Sequence, residues 1–185
     1  MNKARFAQAV SEVGSALAAI DEEEIERACA ALSKARHIGL YGCGREALQV
    51  RGFAMRLFHL GLPASPVGDV SMPALRQGDW LVAVAGPGEL ATVTAHMNTA
   101  RDAGASILFV TSVPDTPSAA LADQVLTIPA QTMATDRGDG ASAVLAMGSS
   151  FEGSLFFLFE IMVLRLREIM NVDADAMRAR HTNME

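Results

Sequence analysis

A chain of 185 residues is long enough for one domain with its own core, burying roughly 70% of the surface the unfolded chain would expose. The formal net charge is -6 and the 15 lysines and arginines are scattered, which excludes the basic patch of a nucleic-acid binder; the most apolar stretch, 153–166, is broken by Glu160 and Arg165 and falls short of the ~20 residues that cross a membrane. With 50% of residues hydrophobic and 19% charged, some apolar surface is expected to lie under partner subunits, so a homo-oligomer is the default.

Taken in chain order, Phe6, Val10, Val13 and Leu17 recur at helical spacing and predict a helix from Lys3 to Ala19. A second helix follows from about Glu22 to Lys34, opened by Asp21 with Glu24 three residues on, the spacing of a capping box. These two form an arm, residues 1–35, that either packs on its own domain or reaches across to another subunit. The amphipathic N-terminus carries Glu12 early and lacks a secretory signal, and Cys29 and Cys43 have neither a metal-like nor a paired spacing. Both features predict a reducing, cytoplasmic location.

From His37 onward short apolar runs alternate with helical segments. Strands are expected at 37–42, 63–67, 80–85, 106–111 and 124–128, with helices at about 45–60 and 88–103 and a short one near 117–122. The strand residues are apolar almost continuously, as in parallel strands covered on both faces. The prediction is an α/β fold with a doubly wound, mostly parallel five-stranded sheet flanked by helices. Residues 131–144, with two glycines, two aspartates and no apolar period, read as an exposed loop. A long helix from about Ser150 to Asn171 completes a core spanning 36–171, and a polar tail, 172–185, closes a chain read as a single domain.

In an open parallel sheet, ligands bind beyond the carboxyl ends of the strands. Two loops there are glycine-rich: Gly42-Cys43-Gly44-Arg45-Glu46, and Ala85-Gly86-Pro87-Gly88-Glu89. Each is either a tight turn or a cradle in which backbone amides and a helix dipole hold an anion. No third glycine completes a dinucleotide fingerprint, so no nicotinamide cofactor is expected. Glu152 falls in the first turn of the last long helix, where a carboxylate either caps the helix or faces a ligand, and Ser149 and Ser150 beside it offer capping oxygens. His37, His59 and His96 show no metal-like spacing and read as structural.

The run YGCGREALQVRGFAMRLFHLG, the loop LVAVAGPGELATV, the helix start GSSFEGSLFFLFEIMV and the ending RHTNME occur in an order that resembles the SIS (sugar isomerase) family, most closely its 6-phospho-3-hexuloisomerase branch. The resemblance runs from about residue 37 to the last residue. It implies the SIS fold and a tetrameric, metal-independent, cofactor-free enzyme. Such an enzyme interconverts a 3-ketohexose 6-phosphate with fructose 6-phosphate by proton transfer through an enediol. Residue by residue, Glu152 matches the family's base and His181 the histidine of its tail motif, which implies a role in ring opening or carbonyl polarisation. The implied sugar or sugar phosphate would meet Gly42, Gly44, Arg45, Glu46, Gly86, Gly88, Glu89, Ser149 and Ser150. Two departures stand out: Glu46 replaces a serine, and the second loop reads AGPGEL where the family reads SGSGET. The second loop thereby loses three hydroxyl donors and the first exchanges one for a carboxylate, which leaves a sugar without phosphate, or binding without catalysis, as the alternatives.

Overall fold

The computed structural model describes residues 3–138 and 141–184. Five strands, β1 (Ile38–Tyr41), β2 (Ala64–Pro66), β3 (Trp80–Val84), β4 (Ser106–Thr111) and β5 (Gln124–Thr127), form one sheet in the order β2-β1-β3-β4-β5. Every neighbouring pair is parallel, including Leu40 with Val82 and Phe109 with Val125. The helices are α1 (Lys3–Ala18), α2 (Glu22–Leu32), α3 (Glu46–Leu60), α4 (Ala91–Asp102), α5 (Ser149–Ile169) and α6 (Ala174–Ala179), with a 3-10 turn at Ala119–Leu121. The expected α/β sheet is therefore present and wholly parallel.

Alternate strand residues point to opposite faces, and both faces are covered. Val82, Val84, Leu108, Val110 and Leu126 meet the core residues of α1, α2, α3 and α5, whereas Leu81, Ala83, Ile107 and Phe109 meet Val93 and Met97 of α4. At the centre of the larger layer Phe53 of α3 stacks on Phe159 of α5, with ring centroids 4.2 Å apart and planes 3° from parallel. Arg56 and Glu160 pair between the same two helices at 3.1 Å.

Three local expectations change. Asp21 caps α2 by accepting the Glu23 amide, but Glu24 does not close a capping box: its carboxylate reaches to the amide of Thr127, at the end of β5, at 2.8 Å. The second strand is only three residues long and ends at Pro66, as suits an edge, since proline has no amide to give to a neighbour. α4 starts at Ala91 rather than 88, because Gly88 takes a left-handed turn (φ +89°) and Leu90 is extended. The arm packs on its own domain through Ala16, Leu17 and Ile20, while Phe6 and Val10, predicted for the same apolar stripe, remain 60% and 73% exposed. In the tail, Asp173 caps α6 and Met177 is buried against the core.

Candidate active site

The strand order reverses between β1 and β3, and the two glycine-rich loops leave their carboxyl ends side by side. This switch point is where ligands bind in open sheets of this order. A cleft of about 620 Å³ opens there. The first loop and the start of α3, the Pro87 turn, and the start of α5 form its walls, joined by Thr132, Met133 and Val144. Part of the segment read as an exposed loop thus lines the cleft.

Glu152 faces the cleft from the first turn of α5, its side chain 16% exposed. Burial raises its pKa from the ordinary carboxylate value, and the Arg45 guanidinium beside it pulls it back down. Arg45 Nε meets Glu152 Oε2 at 2.9 Å, Nη1 donates to Ser149 Oγ at 3.0 Å, and Nη2 donates to the Met147 carbonyl. All three nitrogens of the guanidinium are therefore engaged. Met147 adopts φ +56°, a conformation that is uncommon for a side-chain-bearing residue and that no local pattern in the sequence marks.

The sequence suggested serine capping of α5, and the structure corrects it. Gly148 is the N-cap, in left-handed backbone, and no side chain caps the helix. Ser149 instead receives Arg45, while Ser150, one residue round the helix, is buried and lines a separate groove beside Gln8 and Glu12 of α1. Glu89 also lies outside the cleft: the Gly88 turn leaves it exposed, accepting from the Ser118 hydroxyl at 3.5 Å.

Glu46 is the unexpected member. The sequence placed a negative charge at a loop; the structure buries it. It is 8% exposed, and its Oε1 accepts the Gly86 amide at 2.9 Å. Gly86 must be glycine for this contact, because a Cβ there would stand 2.8 Å from Glu46 Oε1 and 2.9 Å from the Phe151 ring. The Gly88 amide is taken by the Ala85 carbonyl at 3.0 Å. The amides of Gly86 and Gly88, two of the four glycines expected to meet a ligand, are thus bonded within the protein. Gly42 lies against Val50, and Gly44, at φ +57°, borders the cleft. Cys43 also borders it, with Sγ 3.1 Å from Thr92 Oγ1.

Burial pushes the Glu46 carboxyl up from 4.5 to about 7, the Gly86 amide opposing and the Glu152 charge adding. Displacement that large corresponds to about 3 kcal/mol against the ionised form. Because the folded-state pKa is raised, the unfolded chain ionises first, so stability falls as pH rises from about 4.5 through 7. Wild type is expected to lose about 2–3 kcal/mol between pH 5 and pH 8 relative to Glu46→Gln. Urea unfolding of both proteins across that range checks it, and parallel pH profiles would refute it. Arg45 and Glu152 are the charged groups that face the same corner, and both are present in either protein.

His181 does not reach this cleft within its own chain. It lies beside His59, ring centroids 5.2 Å apart and planes tilted by 33°, in a hollow of about 310 Å³ with Arg56, Arg167 and Arg178. Arg180 fastens the tail there by donating to the His59 carbonyl at 3.0 Å. His59 is near the end of α3 and Glu46 at its start, roughly 20 Å apart at ~1.5 Å per residue. No spacing in the sequence marks His59, read as structural, as a neighbour of the tail histidine. Among the described residues no three His, Cys, Asp or Glu side chains converge as a metal site, and no helix is long and apolar enough to cross a membrane. Glu185, the last residue of the tail motif, lies outside the described residues.

Comparison with known proteins places relatives beside this geometry. Residues 31–155 match the SIS domain family. A protein of Mycobacterium gastri named 3-hexulose-6-phosphate isomerase is 37% identical over 174 residues, covering 94% of this chain and 86% of its own. A Bacillus subtilis protein of the same name is 28% identical over 180 residues, covering 97% and 96%. The crystal structure of a hypothetical protein from Methanococcus jannaschii, for which that function is inferred, superposes with a TM-score of 0.83 at 22% identity, covering 95% of this chain and 98% of the other.

Proposed function

The chain belongs to the SIS domain family, and on that premise we propose that it is a sugar isomerase, of the phosphosugar kind for which its relatives are named. It shifts a ketose carbonyl to the neighbouring carbon by proton transfer through an enediol. Glu152 is the base: its carboxylate removes the proton from the carbon beside the carbonyl while the carbonyl oxygen takes up a proton, and the same carboxyl returns its proton to the former carbonyl carbon as the neighbouring hydroxyl becomes the ketone. The observation that carries this reading is the placement of Glu152, at the cleft wall and held by Arg45. Burial raises its basicity while the Arg45 guanidinium favours its ionised form, the combination a base needs. No step calls for a metal or an organic cofactor.

His181 is the group that polarises the carbonyl or opens the ring, supplied by the partner subunit, because in its own chain it lies at the other end of α3 from the cleft. A homotetramer of single-domain subunits supplies the contact. Phe156, Phe157, Ile161 and Leu164 leave an apolar face on α5 to support such an assembly. Cys29 and Cys43 are both free thiols, which suits a cytoplasmic enzyme.

Hydrogen exchange in D2O tests the reading. Incubating fructose 6-phosphate, and separately fructose, with the protein is expected to replace the proton on carbon 3 of one of them by deuterium, visible by NMR. Absence of exchange in both sugars would refute the isomerase and leave a sugar-binding protein that retained the fold.

A further inference from the structure

Arg45 is the one cation among the described residues that line the cleft, and the base already holds it. We propose that Arg45 is the residue that recognises the substrate's phosphate, and that it does so by leaving Glu152, so that the phosphate frees the base as the sugar is seated. This rests on the reading of the cleft as a phosphosugar isomerase site and adds the means by which that site tells a phosphorylated sugar from a plain one.

An anion at this switch point would ordinarily be held by backbone amides of the glycine loops and helix starts. Here those amides are largely taken. The Gly86 amide goes to Glu46, the Gly88 amide to the Ala85 carbonyl, and Pro87 between them has none. At the start of α3 the amides of Ala47 and Leu48 bond to the Cys43 and Arg45 carbonyls. At the start of α5 those of Ser149, Phe151 and Glu152 bond to the Ala146, Gln131 and Gly148 carbonyls. Holding a dianion therefore falls to the Arg45 guanidinium, with the Ser149 hydroxyl beside it.

The geometry lets Arg45 turn. Its side chain is 51% exposed, so it can swing through solvent rather than through the core. Its tie to Glu152 is a single contact, Nε to Oε2 at 2.9 Å, whereas a phosphate dianion accepts two parallel bonds from a guanidinium and carries more charge. Ser149 Oγ, which accepts from Nη1, still has its own proton to donate to the same phosphate. The exchange of partners leaves the shielded Glu152 carboxylate without the guanidinium that opposed its burial, and it becomes the stronger base. The pair of Arg45 with Glu152 is thus a resting state, and a group remote from the reacting carbons acts on the chemistry at those carbons.

Hydrogen exchange at carbon 3 in D2O, followed by NMR over a range of sugar concentrations so that kcat and KM separate, tests the proposal. Three probes are used: fructose 6-phosphate, fructose, and fructose with millimolar inorganic phosphate. In wild type, kcat for exchange of fructose 6-phosphate is expected to exceed that of fructose by about 10²-fold or more, since a truncated substrate loses kcat and not only affinity. Inorganic phosphate is expected to speed fructose exchange by about tenfold, because it draws Arg45 away without being tethered to the sugar. Equal kcat for the two sugars overturns the proposal, as does fructose exchange that phosphate leaves unchanged or slows. These wild-type results decide the matter even if a variant fails to fold. In Arg45→Gln the base is released permanently, so fructose exchange is expected to rise about threefold or more and to ignore phosphate, while fructose 6-phosphate exchange falls by about tenfold or more. A fall by the same factor for both sugars would mean that Arg45 only keeps the cleft wall in shape, and overturns the gate. Exchange that is independent of phosphate leaves the isomerase standing without the gate, whereas no exchange in either sugar removes both.

Discussion

Glu152→Gln is expected to fold as wild type does and to lose a factor of about 10² to 10⁴ in the rate of carbon-bound hydrogen exchange, the usual contribution of a positioned general base. The amide has nearly the shape of the carboxylate, and its oxygen can still meet Arg45 Nε, so the ion pair at 2.9 Å becomes a neutral hydrogen bond rather than a gap. What is lost is the only function an amide cannot perform here, the uptake and return of a proton. Binding of the same sugar should change far less than turnover, because removing a group used mainly in the transition state lowers kcat and kcat/KM together. Exchange of the carbon 3 proton in D2O, measured with a thermal melt of the same sample, checks the prediction. A variant within about threefold of wild type would show that Glu152 serves only to hold Arg45 at the cleft wall.

Phe159→Ala is expected to cost about 3–5 kcal/mol of folding stability, in the range seen when a large buried aromatic is truncated in a core that cannot collapse around it. Phe159 is 3% exposed and lies flat on Phe53, so the truncation empties the space between α3 and α5 and leaves the Phe53 ring without its partner. For a chain of this size that corresponds to a fall of roughly 10 °C in Tm. The site should suffer as well, since Arg45 and Glu46 start α3 while Ser149 and Glu152 start α5, and their spacing is held by the packing behind them. Urea unfolding of the two proteins at one pH gives the stability difference. A loss below about 1 kcal/mol would mean that neighbouring side chains refill the space and that the stacking carries little.

The sheet was legible because its signal is local. Runs such as SILFVT and WLVAV are apolar at almost every position, and β4 and β3 fall where those runs do. Helix starts were less legible, since spacing names a candidate partner and not the partner chosen: Asp21 and Glu24 have capping-box spacing, yet Glu24 bonds to Thr127, 103 residues away. The same limit applies to the site. Glu152, Arg45 and Ser149 could be picked out through the motif that surrounds them, and the fold brings them together. Ser150 and Glu89 belong to the same motifs, but one step round a helix or past a glycine turn takes each elsewhere. The burial of Glu46 against Gly86 joins residues 40 positions apart, and the tilted contact of His59 with His181 joins the end of α3 to the tail; neither leaves a periodic trace.

The contact between Glu24 and Thr127 also bears on how copies of the chain can meet. A parallel sheet left open at its borders is a template on which another chain can add a strand. Here one border is a three-residue strand finished by proline, and at the other a carboxylate from α2 has already claimed a backbone donor at the strand's end. Neither border offers a long ladder to a newcomer. Self-association is thereby steered away from open-ended strand stacking, which has no natural stopping number, and toward helix faces, whose geometry can close on a small and fixed count of subunits.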